Sequence, residues 1–160
     1  MAKRLFIDLD KCADCEECTV KCRCSYPYHP QNNGIIYLRE WLHFQLICRK
    51  CEDAPCLNAC RYEALERPEN DIIKRNNFLC VGCKSCALAC PFGTIYFEMI
   101  PFLTFNCDLC EGRLEEKEMP LCSKTCPKEA IKYGDFEADP KENRHLLNNV
   151  VVQVTPWKKV

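Results

Sequence analysis

The chain has 160 residues, of which 17 are cysteine, 10 proline and 5 glycine, and its 22 basic and 23 acidic side chains leave a formal net charge of −1. Cysteine at about 11 % lies above the level at which its chemistry dictates a fold, and the even charge balance gives no basic footprint for nucleic acid. No apolar run approaches the roughly 18 residues that span a bilayer, and the opening MAKRLFIDLDKC lacks the apolar core of a secretory signal, so a soluble protein without a membrane span is expected.

In chain order the cysteines fall into four groups of four with one remainder. Cys12, Cys15, Cys18 and Cys22 are separated by two, two and three residues. CRCSYPYHPQNNG follows with no immediate strand, and residues 25 to 47 carry Tyr26, Tyr28, Tyr37, Trp41 and Phe44. Such an aromatic-rich stretch is expected to cover buried groups from water or to form a contact surface. Cys48, Cys51, Cys56 and Cys60 come next, with the middle gap widened to four; Cys80, Cys83, Cys86 and Cys90 return to two, two and three. Cys107, Cys110, Cys122 and Cys126 widen the middle gap to eleven, and Cys24 is left over.

The segments behind three of the fourth cysteines share a pattern. CRYEALERPEN, CPFGTIYFE and CPKEAIKYGDF each predict a short turn and then a strand, as in a small ferredoxin hairpin. Pro91 and Pro127 end the preceding helical turn, and Arg61 takes that place after Cys60. Beyond the last group EADPKENRHLLNN predicts a polar helix from about Pro140. VVVQVTPW predicts a strand that either closes the protein's own sheet or adds to a partner's. With so much sequence given to cysteine, proline and glycine, something inorganic is expected to replace much of a conventional core.

A disulfide framework would leave one of 17 thiols over. Zinc sites formed by two CxxC pairs usually separate the pairs by a dozen or more residues, whereas here a third thiol follows closely. Three thiolates on one tight loop suit three iron corners of a cubane, and in the C-x2-C-x2-C-x3-C-P run the last cysteine ligates the other cluster of a pair. If each oxidised cluster brings a +2 core and four thiolates, the net charge falls to about −9. Lys21, Arg23, Arg49, Lys50, Arg61, Lys84 and Lys124, beside or within the ligand loops, are candidate compensators that would tune reduction potentials. Cys24 reads as a spare thiol, and His29, His43 and His145 as surface or packing residues. There is no Gly-rich dinucleotide fingerprint, phosphate loop or nucleophile elbow.

The ordered series of groups, with C-x2-C-x4-C-x3-C second and C-x2-C-x11-C-x3-C fourth, resembles the four-cluster ferredoxin-like subunits of molybdenum and tungsten bis-pterin oxidoreductases, hydrogenases and carbon monoxide dehydrogenases. The resemblance covers roughly residues 5 to 136. It implies an α+β fold of two nested dicluster ferredoxin-like units: an outer unit from residues 1–24 and 105–136, an inner unit from 45–100, an insertion at 25–44 and a helix/strand extension at 137–160. It also implies four [4Fe-4S] clusters with exchanged fourth ligands. Cys48, Cys51 and Cys56 would act with Cys90, and Cys80, Cys83 and Cys86 with Cys60. Cys12, Cys15 and Cys18 would act with Cys126, and Cys107, Cys110 and Cys122 with Cys22.

A chain that supplies a ligand for every iron and has no acid, base or nucleophile set of its own should carry electrons rather than catalyse. The expectation is a cytoplasmic electron-transfer subunit bound to a larger catalytic subunit. By analogy alone, a tungsten or molybdenum bis-pterin enzyme is favoured, of aldehyde oxidoreductase-like or benzoyl-CoA reductase type, with a further redox subunit or ferredoxin as electron donor or acceptor. The alternatives are a subunit of a hydrogenase, formate dehydrogenase or carbon monoxide dehydrogenase, a free polyferredoxin shuttle, and export as the passenger of a signal-bearing partner.

Overall fold

A computed structural model describes residues 3–15, 18–26, 28–97, 100, 106–115 and 118–156. In chain order the elements are β1 (Arg4–Asp8), α1 (Leu9–Ala13), β2 (Ser25–Tyr26), β3 (His29–Asn33), α2 (Gly34–Leu42), a π-helical turn His43–Ile47, α3 (Pro55–Asn58), β4 (Leu65–Glu66), β5 (Lys74–Arg75), α4 (Ser85–Ala89), α5 (Leu121–Thr125), β6 (Ile131–Gly134), a 3-10 turn Pro140–Glu142, β7 (Arg144–Leu147) and β8 (Val150–Gln153). Short helices and short strands are thus mixed along the whole chain. They divide into two compact units, one made of Met1–Arg23 with Asp108–Val160 and the other of Cys24–Cys107.

The first unit is organised by a four-stranded sheet in the order β6-β1-β8-β7. Leu5, Phe6, Ile7 and Asp8 of β1 are all buried, as are Val150, Val151 and Val152 of β8. Such unbroken apolar runs suit parallel strands covered on both faces, and β1 and β8 are the parallel pair. Phe6 stacks on Phe136 with ring centroids 4.7 Å apart. Asp8 ends the strand and caps α1, accepting the Lys11 N–H at 3.1 Å.

Two expectations are corrected here. The polar helix from about Pro140 is a three-residue 3-10 turn, and the residues after it form β7, antiparallel to β8. Pro140 and Asp139 do start a helical turn, but Asn143 takes a left-handed φ of 53° and ends it at once. The VVVQ strand closes the protein's own sheet, between β1 and β7; Trp157, behind it, lies outside the described residues. A conventional apolar core is also larger than the composition suggested, because β1 and β8 supply one without any cysteine.

In the second unit Asn33 caps α2 by accepting the Ile35 and Ile36 N–H groups at 3.0 and 3.3 Å. The helix is buried almost all round, charged Arg39 and Glu40 included. Its π-helical continuation brings the chain to Cys48, whose N–H donates to the His43 carbonyl at 2.8 Å. Of the aromatic stretch, Phe44 is buried, Tyr37 and Trp41 are half-buried, and Tyr28 is exposed. β4 and β5 pair as the hairpin expected after Cys60. The strand expected after Cys90 is not formed over residues 94–97, and Glu98 lies outside the described residues.

Candidate metal centres

The cysteine loops repeat one backbone pattern. The residue before the second cysteine is left-handed in three groups: Lys50 at φ 51°, Gly82 at 68° and Leu109 at 54°. Two residues before the third cysteine, Ala54 and Lys84 are left-handed again, and each starts a short helix that carries that cysteine: Cys56 on α3, Cys86 on α4. α5 carries Cys122 in the same way. Three residues beyond the fourth cysteine Glu63, Gly93 and Glu129 are left-handed, and their N–H groups donate to the Cys60, Cys90 and Cys126 carbonyls at 3.3, 3.3 and 3.2 Å. Left-handed backbone costs non-glycine residues about a kcal/mol or two, so its recurrence marks loops shaped for what they enclose rather than for their own ease. The first group is built differently, with Cys12 on α1.

Two recesses of similar size lie in the second unit. One, of about 370 Å³ including space open to solvent, is lined by Cys48, Cys51, Cys56 and Cys90, with Ile73, Phe92 and Ile95 among its walls. The other, about 320 Å³, is lined by Cys60, Cys80, Cys83 and Cys86, with Leu65, Val81 and Ile100. Each gathers three cysteines of one group and the fourth of the other. The crossing arises on α3 and α4: the x3 gap lets Cys56 line one recess and Cys60 the other, and likewise Cys86 and Cys90.

Electrostatics follows the same partition. Burial raises the Cys56 thiol, and Cys48 and Cys90 add like charge. Burial pushes Cys86 up to about 11, with Cys80 and Cys60 adding to it. Cys83, the exposed one among the cysteines, is lowered, first by the Ser85 hydroxyl at 3.4 Å. Burial opposes ionisation of Cys90 too, but the Thr94 hydroxyl at 3.2 Å and backbone N–H groups outweigh it. The Ala64 N–H donates to Cys60 Sγ at 3.3 Å. Four thiols in one recess cannot all ionise unaided; a cationic metal core must displace their protons.

Arg67 lines the first recess and braces its loop. Its Nη1 donates to the Cys51 and Glu52 carbonyls at 2.7 and 3.3 Å, its Nη2 to Lys50 at 3.2 Å, and its Nε to Asp71 at 2.9 Å. Arg75 lines the second recess and is paired with Glu40, at 2.5 Å through both Nε and Nη2. Neither arginine adjoins a cysteine in sequence, and both were missed among the candidate compensators; no local signal marks them. Of the residues that were candidates, Arg49 and Lys84 lie over the Phe92 and Phe97 rings, and Arg23 pairs with Glu118.

In the first unit Ile7 of β1 is opposite Ile131 of β6. Cys12 follows Ile7 by as many residues as Cys126 precedes Ile131, so both leave the same end of the antiparallel pair. The Lys21 N–H, next to Cys22, donates to Thr125 Oγ1, next to Cys126, at 2.9 Å. Cys110 donates its N–H to the Asp108 carboxylate at 3.0 Å, and Arg113 pairs with that carboxylate at 2.5 Å. These contacts hold Asp108 below the ordinary carboxylate range against the opposing effect of burial. The Cys24 carbonyl accepts the Gly34 N–H at 3.1 Å.

Residues 39–136 match the 4Fe-4S dicluster domain. The chain belongs to the 4Fe-4S dicluster family. Among its relatives, thiosulfate reductase electron transfer subunit PhsB of Salmonella typhi is 31 % identical over 81 % of this chain and 74 % of its own. The B subunit of the anaerobic dimethyl sulfoxide reductase of Shigella flexneri is 27 % identical over 88 % and 77 %. The B subunit of the polysulfide reductase of Wolinella succinogenes is 29 % identical over 88 % and 81 %.

The donor chemistry of this dicluster chain fits iron-sulfur clusters. Neither recess is lined by Asp, Glu or His, the hard or imidazole donors other metals take. Among the described residues no three His, Cys, Asp or Glu side chains are placed to share one ion. Zinc would need its thiolates within about 2.3 Å of a single point, whereas a cubane distributes four ligands over four irons. No described helix of the dicluster chain is long and apolar enough to cross a membrane.

Proposed function

We propose that the chain is a non-catalytic electron-transfer subunit that binds four [4Fe-4S] clusters as a wire, in two nested dicluster units. The observation that carries this reading is the pair of recesses, each lined by four thiols drawn from two cysteine groups. Cys48, Cys51, Cys56 and Cys90 hold one cluster, and Cys60, Cys80, Cys83 and Cys86 the next. In the outer unit Cys12, Cys15 and Cys18 act with Cys126, and Cys107, Cys110 and Cys122 with Cys22. When bound, such clusters take up and release single electrons at potentials set by hydrogen bonds to sulfur, charge and exposure.

The chain's own residues supply those settings. Ser85, Thr94 and the Ala64 N–H bond ligand sulfurs, and apolar side chains wall each recess. Among the described residues, the most exposed apolar stretch beside a ligand is Phe78, 96 % exposed, with Leu79 and Val81, which flanks Cys80 near the exposed Cys83. An apolar patch beside a cluster is where a redox partner would dock and electrons would leave.

The partner in this reading is the catalytic subunit of a molybdenum or tungsten bis-pterin enzyme. The names of the relatives support a reductase acting on a sulfur compound; tungsten and aldehyde oxidoreductase chemistry rest on the resemblance alone. Assembly with reduced thiols supports a cytoplasmic site. The test is anaerobic analysis of iron, sulfide, molybdenum, tungsten and nickel in the natively purified protein with its co-purifying chains. About 16 iron per chain is expected, with molybdenum or tungsten in the complex. Nickel would replace the partner assignment, iron with no partner would favour a free shuttle, and zinc without iron would end the reading.

A further inference from the structure

Arg75 lies on β5 with a side chain 2 % exposed, and Glu40, facing it from α2, is 5 % exposed. The carboxylate takes two of the three guanidinium nitrogens, Nε and Nη2. The third, Nη1, is buried and has no well-aligned acceptor among the described residues. Arg75 also lines the recess of Cys60, Cys80, Cys83 and Cys86, where a hydrogen bond and its charge both link the guanidinium to the Cys80 sulfur. A buried donor left unmade is costly, and a bidentate Arg–carboxylate pair fixes the direction in which the remaining arm points. The recess therefore has a rigid, charged donor whose acceptors there are the Cys80 sulfur and whatever those four cysteines bind.

We infer that Arg75 Nη1 donates to a sulfur of the [4Fe-4S] cluster held by Cys60, Cys80, Cys83 and Cys86, and thereby raises that cluster's reduction potential. One-electron reduction adds one negative charge to a cluster. A hydrogen bond from a cation gains strength as that charge arrives, which favours the reduced form. Glu40 neutralises the pair as a whole, but Arg75 lines the recess and Glu40 does not, so the guanidinium is the nearer charge to the thiols. In the neighbouring recess all three Arg67 nitrogens are engaged by the Lys50, Cys51 and Glu52 carbonyls and by Asp71, and the other cations of its lining, Arg49 and Lys50, are exposed rather than buried.

This inference rests on the proposed ligand set of that recess, and the experiment separates the two. The holoprotein, with any co-purifying partner, is titrated potentiometrically and followed by electron paramagnetic resonance. The unmodified protein is compared with Arg75→Lys and with the double variant Glu40→Gln/Arg75→Gln, which removes both charges and leaves no buried carboxylate unpaired. Cys83→Ser identifies the signal of the cluster concerned. The expected result is full iron content, three unchanged midpoint potentials and one shifted lower, the one that Cys83→Ser also alters. Arg75→Lys, which keeps the charge but loses the fork, should shift the same signal in the same direction by less. Four unchanged potentials with full iron content, or a shift confined to another cluster, would overturn the inference. If the unmodified protein has no cluster that responds to Cys83→Ser, the ligand reading fails instead.

Discussion

Cys56 and Cys60 are the third and fourth cysteines of one group, one helical turn apart, yet they line different recesses. Cys60→Ala should therefore damage the cluster of Cys80, Cys83 and Cys86 and spare the one whose other ligands are Cys48, Cys51 and Cys56. Counting clusters by electron paramagnetic resonance and iron analysis checks this. Loss of the Cys48, Cys51 and Cys56 cluster alone would mean that each group serves itself.

The outer pairing makes a parallel prediction. Cys22→Ala should perturb the cluster of Cys107, Cys110 and Cys122 and leave that of Cys12, Cys15 and Cys18 intact. Cys24→Ser should leave the iron content at about 16 per chain. A cluster missing from the Cys24 variant would make that residue a ligand.

Arg67 binds three successive carbonyls of the loop that contains Cys51 and thereby keeps their oxygens turned toward itself. Arg67→Ala should cost on the order of 2 kcal/mol, since several hydrogen bonds to a charged group are lost at a largely buried site. Arg67→Lys should recover little, because an ammonium cannot reproduce the planar fork. Thermal unfolding of the anaerobic holoprotein, with the rate of iron loss to a chelator, measures both. A lysine variant as robust as the original would show that charge alone suffices.

His43 is buried, with Nδ1 unpartnered, and burial together with Arg39 lowers its pKa from 6.5 to about 4. The unfolded chain takes up a proton as the pH falls through about 6.5, whereas the folded chain does so only near about 4. This group's contribution is thus fully present above the upper value and is lost toward the lower one, at about 1.4 kcal/mol per pH unit. His43→Phe keeps a ring against Tyr96, whose centroid is 5.1 Å away, and should flatten that part of the profile. Thermal midpoints of both proteins at about pH 7.5 and about pH 5.5 decide it; parallel slopes would exclude His43 as the source.

The cysteine groups were legible in the sequence because ligand spacing is a local property: the first three groups are each spelled out within 11 to 13 residues, and the fourth within 20. The left-handed positions were legible only in part. Gly82 and Gly93 advertise theirs, but Lys50, Leu109 and Glu129 adopt the same backbone under compulsion from their loops. Arg75 and Glu40 are separated by 35 residues, and nothing periodic links them. The helix expected at Pro140 failed for a different reason. Asp139 and Pro140 are sound start signals, yet a start without a long amphipathic continuation gives one turn, and Leu146 and Leu147 were free to pair with the valines of β8.

β1 has neighbours on both edges, β6 on one and β8 on the other, and neither exists until more than a hundred residues of chain have followed it. On the ribosome, where synthesis runs at about 5–20 residues per second, the segment Cys24–Cys107 is finished first, while the opening strand still waits with unpaired edges. Synthesis is therefore staggered in time: the chain that forms both recesses of the second unit is complete before the sheet that joins β1 to β6 and β8 can close.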